Sequence, residues 1–201
     1  MRELMTHALY LLALINPVSK ISVLAVLPSG KPSQDFRQVA AKSSAVAAIL
    51  LLAAMTAGDF LLRSVFHAQV HSLRVAGGIV LFWVGFNALR RGLFFEEEIK
   101  ARFEDVAIVP LACPMIAGPG TIAASITLSA QQGVLAAAAA MVIAVAANHV
   151  IMLCARPLAA LLRRFNVLGA MIRITGLIVM TIGTQMVLDG LGEWFAAAAR
   201  P

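Results

Sequence analysis

The sequence predicts an all-α, polytopic membrane protein with six transmembrane helices, arranged as two inverted three-helix repeats in which helices one and four are broken. Composition points to a membrane, because 61% of the 201 residues are hydrophobic and 13% are charged, whereas soluble domains are about half apolar and a quarter charged. Six apolar segments are each long enough to cross about 30 Å of hydrocarbon. The first and fourth of them contain helix-breaking residues near their middles.

The expected spans follow the apolar runs of the chain. They cover, in order, about 4–27, 39–62, 73–89, 106–130, 134–154 and 167–188. Arg156-Pro157 is expected to end the fifth span, with Arg163 and Arg164 in the loop after it. Asp189-Gly190 is expected to close the sixth. All six form a single membrane domain, with repeat one at about 1–90, a cytoplasmic loop at 91–105 and repeat two at about 106–201.

The first span is expected to be retained, since its apolar run is too long for a signal peptide and no small-x-small cleavage site stands before Lys20. The distribution of basic residues predicts the orientation. Eleven Lys and Arg residues flank the one–two, three–four and five–six connections, and four flank the opposite side. Because basic residues accumulate on the cytoplasmic side, both termini are expected outside. The net charge of +6 follows from this pattern and does not indicate nucleic-acid binding.

The two halves of the chain resemble each other at an offset of about a hundred residues. Leu73–Val80 of the third span and Ile172–Val179 of the sixth share an arginine, a glycine and an Ile-Val pair in register. Asn16-Pro17 and Gly118-Pro119-Gly120 occupy corresponding places in the first and fourth spans. Three spans per half is an odd number, so the second copy must be inverted, which lets the two breaks meet near the midplane.

These two breaks are the candidate binding site. Proline removes a backbone donor and glycine permits a sharp turn, and irregular backbone at membrane depth is tolerated where it lines a cavity or is buried in protein. A half-helix N-terminus would then face a carboxylate or another anionic group. The alternative is a kinked helix that packs closely through its glycines. The residues assigned to substrate binding are Asn16, Pro17, Ser19, Lys20, Ala117, Gly118, Pro119, Gly120 and Thr121.

Several polar residues within the spans leave alternatives open. Asn16 either contacts a polar substrate, or caps a half-helix or bonds a neighbouring span. Lys20, about 10 Å from the inner end of its span, pairs with a carboxylate, a carbonyl or the substrate, or extends its ammonium towards the interface. His149 is the candidate for proton coupling, against a neutral histidine with ordinary hydrogen bonds. Arg74 and Arg173 are expected to anchor span ends at opposite interfaces.

Other kinds of site find little support in the sequence. His67 and His71 stand one helical turn apart, but no Cys, Asp or Glu nearby completes a metal site. No nucleophile and base stand at catalytic spacing. We therefore expect no enzyme, no cofactor and no resident metal.

Three motifs stand in the first, third and fourth spans. They read Asn16-Pro17-Val18-x-Lys20, Arg74-x-x-Gly77-Gly78-Ile79, and Pro110-x-x-x-Pro114-x-Ile116-Ala117-Gly118-Pro119-Gly120. Together they resemble the MarC family over nearly the whole chain. The resemblance implies a six-span bacterial or archaeal inner-membrane protein of the lysine-exporter superfamily that transports small neutral amino acids. The chain departs from the family's glycine, polar residue and proline at Ser19, Lys20 and Ser22, which adds a charge and removes a helix breaker.

The leading hypothesis is a secondary transporter of small polar solutes such as neutral amino acids, with alternating access around the midplane site. Since the chain contains no nucleotide-binding motif, coupling to protons or sodium, or simple exchange, is expected. The alternatives are a metal-ion carrier, and a non-transporting membrane partner or regulatory protein that docks through the polar stretch 90–105. The expected partners are the lipid bilayer and the solute, with a homo-oligomer left open. The expected location is the bacterial inner membrane.

Overall fold

The computed structural model describes residues 2–26, 36–65, 67–92, 107–165 and 167–199. These residues form eight α-helices and two π-helical segments, and no β-strand is present among them. The α-helices are α1 (Arg2–Ile15), α2 (Pro17–Val26), α3 (Phe36–Phe60), α4 (Val70–Arg91), α5 (Pro119–Gln132), α6 (Val134–Leu153), α7 (Ala155–Arg164) and α8 (Leu168–Ala198). The π-helical segments are Leu61–Val65, which continues α3, and Ala107–Ile116, which precedes α5.

Five of the described segments are long and apolar enough to cross a membrane. They are Arg2–Ile21, Arg37–Gly58, Val70–Arg91, Val134–Leu153 and Leu168–Ala198. The all-helical, membrane-type fold expected from composition is therefore confirmed. The fourth expected span is divided between the π-helical segment Ala107–Ile116 and the 14-residue α5, which alone is shorter than the roughly 20 residues a spanning helix needs. The count of six spans stays a prediction.

The first break separates α1 from α2 at Asn16. Asn16 has a left-handed backbone, with φ of 53°, a conformation that asparagine adopts more readily than most residues. Proline disfavours helical geometry in the residue before it, and Pro17 itself begins α2, where a missing N–H is tolerated. The Ser19 hydroxyl and N–H both donate to the Asn16 carbonyl oxygen, over 2.7 and 3.1 Å. The break expected from the Asn-Pro pair is present.

The second break lies between the π-helical segment Ala107–Ile116 and α5. Gly118 is extended, with φ of −83° and ψ of 165°, and Pro119 is the first residue of α5. The Ile122 N–H donates to the Gly118 carbonyl oxygen over 2.8 Å and closes the first turn. A break is present here as expected, whereas the sequence pattern does not predict the π-helical geometry that precedes it.

The helix of the fifth expected span, α6, ends at Leu153, about where predicted, whereas the chain just beyond it and the end of the last span differ from expectation. Pro157, expected to mark the end of the fifth span, lies in the first turn of α7, where the N–H that proline lacks has no intrahelical acceptor. Arg163 and Arg164 therefore belong to a helix, and placing them in a loop was wrong. Asp189-Gly190 does not close the last span, because α8 continues through it to Ala198. The physical reason is packing, since Gly190 is buried against α4.

Helices α4 and α8 pack antiparallel along a glycine interface, which consists of Gly78 and Gly85 of α4 and Gly176, Gly183 and Gly190 of α8. A Cβ on Gly78 would lie 2.6 Å from the Gly183 carbonyl oxygen, and a Cβ on Gly183 would lie 2.6 Å from the Gly78 carbonyl oxygen. A Cβ on Gly85 would lie 2.5 Å from the Gly176 carbonyl oxygen. Small residues allow such close approach of backbones in membrane helices. The two helices therefore meet backbone to backbone.

The remaining helices form the core that holds the two breaks. Helices α1 and α3 pack against α6, and α2 packs against α7. Helix α5, which begins at the second break, contacts α1, α3, α4 and α6. Fully buried side chains of this core are Leu11, Ile15, Leu51, Met55, Leu111, Met141 and Met152. The start of α5 is thereby fixed on several sides.

Candidate functional site

A cavity of about 160 Å³ lies between the two breaks, and we call it the break cavity. Asn16 and Ser19 line it from the first break, and Gly118 to Thr121 line it from the second. Apolar residues of α4 and α8 complete the wall, namely Val80, Leu81, Val84 and Val179. A mostly apolar lining with a few convergent polar groups is typical of small-molecule sites.

The structure brings most of the residues assigned to binding into one place. Those that line the break cavity are Asn16, Ser19, Gly118, Pro119, Gly120 and Thr121. Pro17, Lys20 and Ala117 lie outside its lining. Two segments about a hundred residues apart in the chain therefore border the same space, as the paired breaks suggested. Their role in binding stays a proposal.

Residues that carry hydrogen-bond donors line the break cavity on both sides. The first N–H groups of a helix have no intrahelical acceptor; in α5 they belong to Gly120 and Thr121, because Pro119 has no N–H. Asn16 is 6% exposed, and its side-chain nitrogen Nδ2 has no hydrogen-bond partner in the described part of the chain. Leaving such a buried donor unpartnered costs roughly 1–3 kcal/mol. An oxygen acceptor between Asn16 and the start of α5 would satisfy donors of both breaks.

Gly120 allows α5 to begin directly against α4. A Cβ at Gly120 would lie 2.1 Å from Cγ of Leu81, a buried side chain that also lines the break cavity. Gly77 of α4 is equally close to α5, since its Cβ would lie 2.4 Å from Cβ of Ala123. A side chain at position 120 would therefore displace Leu81 or occupy the cavity.

Lys20 does not line the break cavity, but it contacts residues that do. Its side chain is fully buried, at 0% exposure, so its ammonium does not extend to an interface. Nζ donates to the carbonyl oxygens of Ile15 and Met115, the latter over 2.6 Å. It also lies 3.4 Å from the carbonyl oxygen of Asn16. Of the alternatives for this residue, pairing with backbone carbonyls is the one observed.

The similarity of this chain to known proteins identifies the family to which it belongs. The family model described as MarC family integral membrane protein matches residues 1–195. This chain belongs to the MarC family. It is 35% identical to a UPF0056 membrane protein of Pyrococcus horikoshii, over 96% of this chain and 95% of the relative. The MarC-family resemblance seen in the sequence motifs is thus confirmed, and the chain is an integral membrane protein.

Further relatives of this MarC-family chain are bacterial proteins. A UPF0056 membrane protein of Aquifex aeolicus is 30% identical, over 91% of this chain and 89% of the relative. The UPF0056 inner membrane protein YhgN of Escherichia coli is 28% identical, over 96% of this chain and 98% of the relative. No solved structure matches the chain.

A second cavity of the MarC-family chain, of about 410 Å³, lies along the same helices as the break cavity. Tyr10, Ala124 and Ile182 line it, each about one helical turn from a residue of the same helix that lines the break cavity. Its lining is more polar, and includes Arg74, Thr127, Gln131, Gln185 and Asp189. The two cavities therefore follow one another along α1, α5 and α8.

Arg74, expected to anchor a span end at an interface, is buried and ion-paired, and its position relative to the membrane stays a prediction. It is 6% exposed, and its Nη1 donates to Oε1 of Glu193 over 2.7 Å. Sequence reasoning missed this ion pair because it ended the last span at Asp189-Gly190, before Glu193. The signal available was the complementary charge at the start of the third span and in the C-terminal tail. Arg173, by contrast, is exposed.

His149 of the MarC-family chain lies apart from both breaks. Its Nδ1 is 3.1 Å from Oγ of Ser44 and 3.3 Å from the carbonyl oxygen of Ala40. A groove of about 340 Å³ between α3 and α6 is lined by His149 and Ser44 and shares no lining residue with the break cavity. Within the described ranges, no three His, Cys, Asp or Glu side chains come together as metal ligands.

Proposed function

We propose that this MarC-family protein is a secondary transporter of small polar solutes, such as neutral amino acids, that works by alternating access around the break cavity. The observation that carries the proposal is that Asn16, whose buried amide nitrogen has no hydrogen-bond partner among the described residues, lines the same cavity as the first turn of α5. A solute carboxylate there would accept hydrogen bonds from Asn16 and from the N–H groups of Gly120 and Thr121. It would also be attracted by the partial positive charge of the helix N-terminus.

The size of the break cavity supports a small solute. Its volume of about 160 Å³ is close to the roughly 150 Å³ of an engineered cavity that holds benzene. Pockets for drug-sized ligands are larger, at about 300–1,000 Å³. Val80, Val84 and Val179 would surround a short aliphatic side chain. The cavity therefore favours an alanine-like amino acid over a large antibiotic.

We propose a single membrane domain with six spans in two inverted repeats, at about 1–90 and 106–201. The π-helical segment Ala107–Ile116 and α5 would together form the broken fourth span. The antiparallel course of α4 and α8, the last helices of the two halves, supports this arrangement. The second cavity, one helical turn from the break cavity, would be the route to one side of the membrane.

The proposal also covers the ion that drives transport and the membrane in which the protein lies. His149 is assigned to proton coupling, and a neutral histidine that is hydrogen-bonded to Ser44 is the alternative role for this residue. Sodium coupling and exchange are the alternatives for transport. The protein is placed in the bacterial inner membrane, in keeping with the name of the Escherichia coli relative. Both termini are assigned to the outside, and a homo-oligomer is left open.

Two other functions find less support at the break cavity. Its described lining contains no carboxylate, thiol or imidazole, so a metal-ion carrier would lack the ligands that such ions prefer there. The same lining offers no nucleophile paired with a base, and we therefore propose a role other than catalysis. A regulatory partner would have to dock through the stretch 90–105, which beyond Gly92 lies outside the described residues.

Replacing Asn16 with aspartate is expected to weaken binding of L-alanine by roughly 10–100-fold, because a hydrogen bond to a charged group contributes about 1.5–3 kcal/mol. Aspartate keeps the size of the side chain and tolerates the left-handed backbone. It replaces the Nδ2 donor with an acceptor and places a negative charge beside the solute carboxylate. The concentration dependence of radiolabelled L-alanine uptake by the purified protein in vesicles measures the change.

The matched control for this variant is Asn16→Gly. Glycine adopts a φ of 53° without strain and removes the amide without adding a charge. Its uptake is expected to lie between those of the wild type and Asn16→Asp. Wild-type uptake by Asn16→Asp would remove Asn16 from the binding site.

Cysteine labelling is expected to place the two ends of the α6–α7 region on opposite sides of the membrane. In a background with Cys113→Ala and Cys154→Ala, a membrane-impermeant maleimide should react with Gln132→Cys in intact cells. Phe165→Cys should react only after the cells are opened, because basic residues keep its side cytoplasmic. The native side chains at both labelling positions, Gln132 and Phe165, are exposed. Labelling of Phe165→Cys from outside would contradict the orientation.

A further inference from the structure

We infer that the Lys20 ammonium is the resident cation of a carbonyl-lined site formed by both breaks, so that the chain itself supplies the positive charge that a bound sodium ion would supply there. The inference stands on the contacts of Lys20. Its consequence for uptake rests on the proposed function.

The ligands of the ammonium are main-chain oxygens from two distant parts of the chain. Ile15 ends α1 and Asn16 follows it, whereas Met115 lies one residue before the end of the π-helical segment. Nζ of Lys20 donates to two of these carbonyl oxygens and lies 3.4 Å from that of Asn16. Carbonyl oxygens at half-helix ends are the groups that bind sodium ions in broken-helix transporters. The ammonium occupies the position that such an ion would take.

The carbonyl oxygens around Nζ carry partial negative charge, which offsets part of the cost of burying a cation there. The last carbonyl groups of a helix lack intrahelical donors, and together they carry about half a negative charge. Lys20 is fully buried, and among the described residues no carboxylate is paired with it. The carbonyl oxygens are therefore the groups that compensate its charge. A buried charge that loses such partners is strongly destabilising.

Lys20 also connects the two walls of the break cavity. Ile15, Asn16 and Met115 all belong to the lining of that cavity, and Asn16 carries the unpartnered amide. By binding their carbonyl oxygens, Lys20 sets the distance between the first and second breaks. It is therefore a positioning residue, and no separate monovalent cation is needed between the breaks.

Rescue of a shortened side chain by a free ammonium tests the inference. Lys20→Ala removes the atoms beyond Cβ and leaves space for n-propylammonium, which has the same atoms. The purified variant in detergent is expected to melt well below the wild type, as followed by the fluorescence of Trp83 and Trp194. Addition of n-propylammonium chloride is expected to recover at least half of the lost melting temperature. Tetramethylammonium chloride at equal ionic strength, which cannot donate hydrogen bonds, is expected to recover none.

The matched control is Lys20→Met, which fills the same space without a charge. Its melting temperature is expected to stay low and not to respond to n-propylammonium. A second measurement needs no variant: the wild type is expected to melt at the same temperature in sodium chloride and in choline chloride. Stabilisation of the wild type by sodium would overturn the inference. An equal response of Lys20→Ala to both ammonium salts would overturn it as well.

Measurements of L-alanine uptake distinguish a failure of the cation site from a failure of the transporter proposal. In vesicles, Lys20→Met is expected to lose most of its L-alanine uptake while it still inserts, and wild-type uptake is expected to persist when choline replaces sodium. If the wild type takes up no L-alanine, the transporter proposal fails and the melting experiments still decide the cation site. If uptake is present but n-propylammonium has no specific effect, the cation site fails and the transporter proposal stands.

Discussion

Replacing Gly85 with alanine is expected to lower the melting temperature of the protein in detergent by roughly 5–10 °C. The new Cβ would lie 2.5 Å from both the Gly176 carbonyl oxygen and the Met180 nitrogen. Because both atoms are backbone, α4 and α8 must separate along the glycine interface. Overpacking of this kind costs roughly 1–3 kcal/mol, and 1 kcal/mol corresponds to about 2–4 °C in a chain of this size.

The control for this variant is Gly192→Ala, also in a helix of the same pair. A Cβ at Gly192 meets no atom within 4 Å, and alanine is favoured over glycine in a helix by about 0.5–1 kcal/mol. Gly192→Ala is therefore expected to melt at or slightly above the wild-type temperature. If Gly85→Ala and Gly192→Ala melt alike, the backbones of α4 and α8 do not meet as closely as in the structure.

Replacing Gly120 with alanine is expected to reduce L-alanine uptake roughly 10-fold or more, with the protein still folded. The added Cβ would lie 2.1 Å from Cγ of Leu81, so Leu81 must move within the wall of the break cavity or the start of α5 must shift. Either movement disturbs the Gly120 and Thr121 N–H groups that the solute carboxylate would use. Uptake in vesicles, compared at equal protein content, measures the loss.

A compensating substitution makes this experiment specific. In Gly120→Ala/Leu81→Ala the smaller side chain leaves room for the new methyl group, and uptake is expected to return in part. Gly169→Ala serves as the control, since a Cβ there meets no atom within 4 Å. Wild-type uptake by Gly120→Ala would require the break cavity to be abandoned as the solute site.

The two breaks could be predicted because local backbone rules set them. Pro17 and Pro119 each begin a helix, and Asn16 and Gly118 adopt the non-helical conformations that precede them. These outcomes need only steric arguments about neighbouring residues. The membrane class was equally accessible, because it depends on composition alone.

The features that sequence reasoning missed depend on contacts between distant residues. Gly190 suggests a helix end when it is considered alone, but its burial against α4 lets α8 continue. The pairing of Arg74 with Glu193 becomes visible only once that continuation is known. Lys20 could be placed at membrane depth, whereas the carbonyl oxygen of Met115 that receives its hydrogen bond comes from the other half of the chain.

The spacing of the glycine interface restricts how the protein can move. Gly176, Gly183 and Gly190 follow one another at intervals of seven residues, as do Gly78 and Gly85. At a rise of about 1.5 Å per residue, sliding α8 along α4 would bring glycine opposite glycine again only after about 10.5 Å. A slide of a single turn, about 5.4 Å, would drive side chains into backbone. Sliding of α4 along α8 is therefore opposed, and the proposed alternating access would have to use movement of the broken segments against this pair of helices.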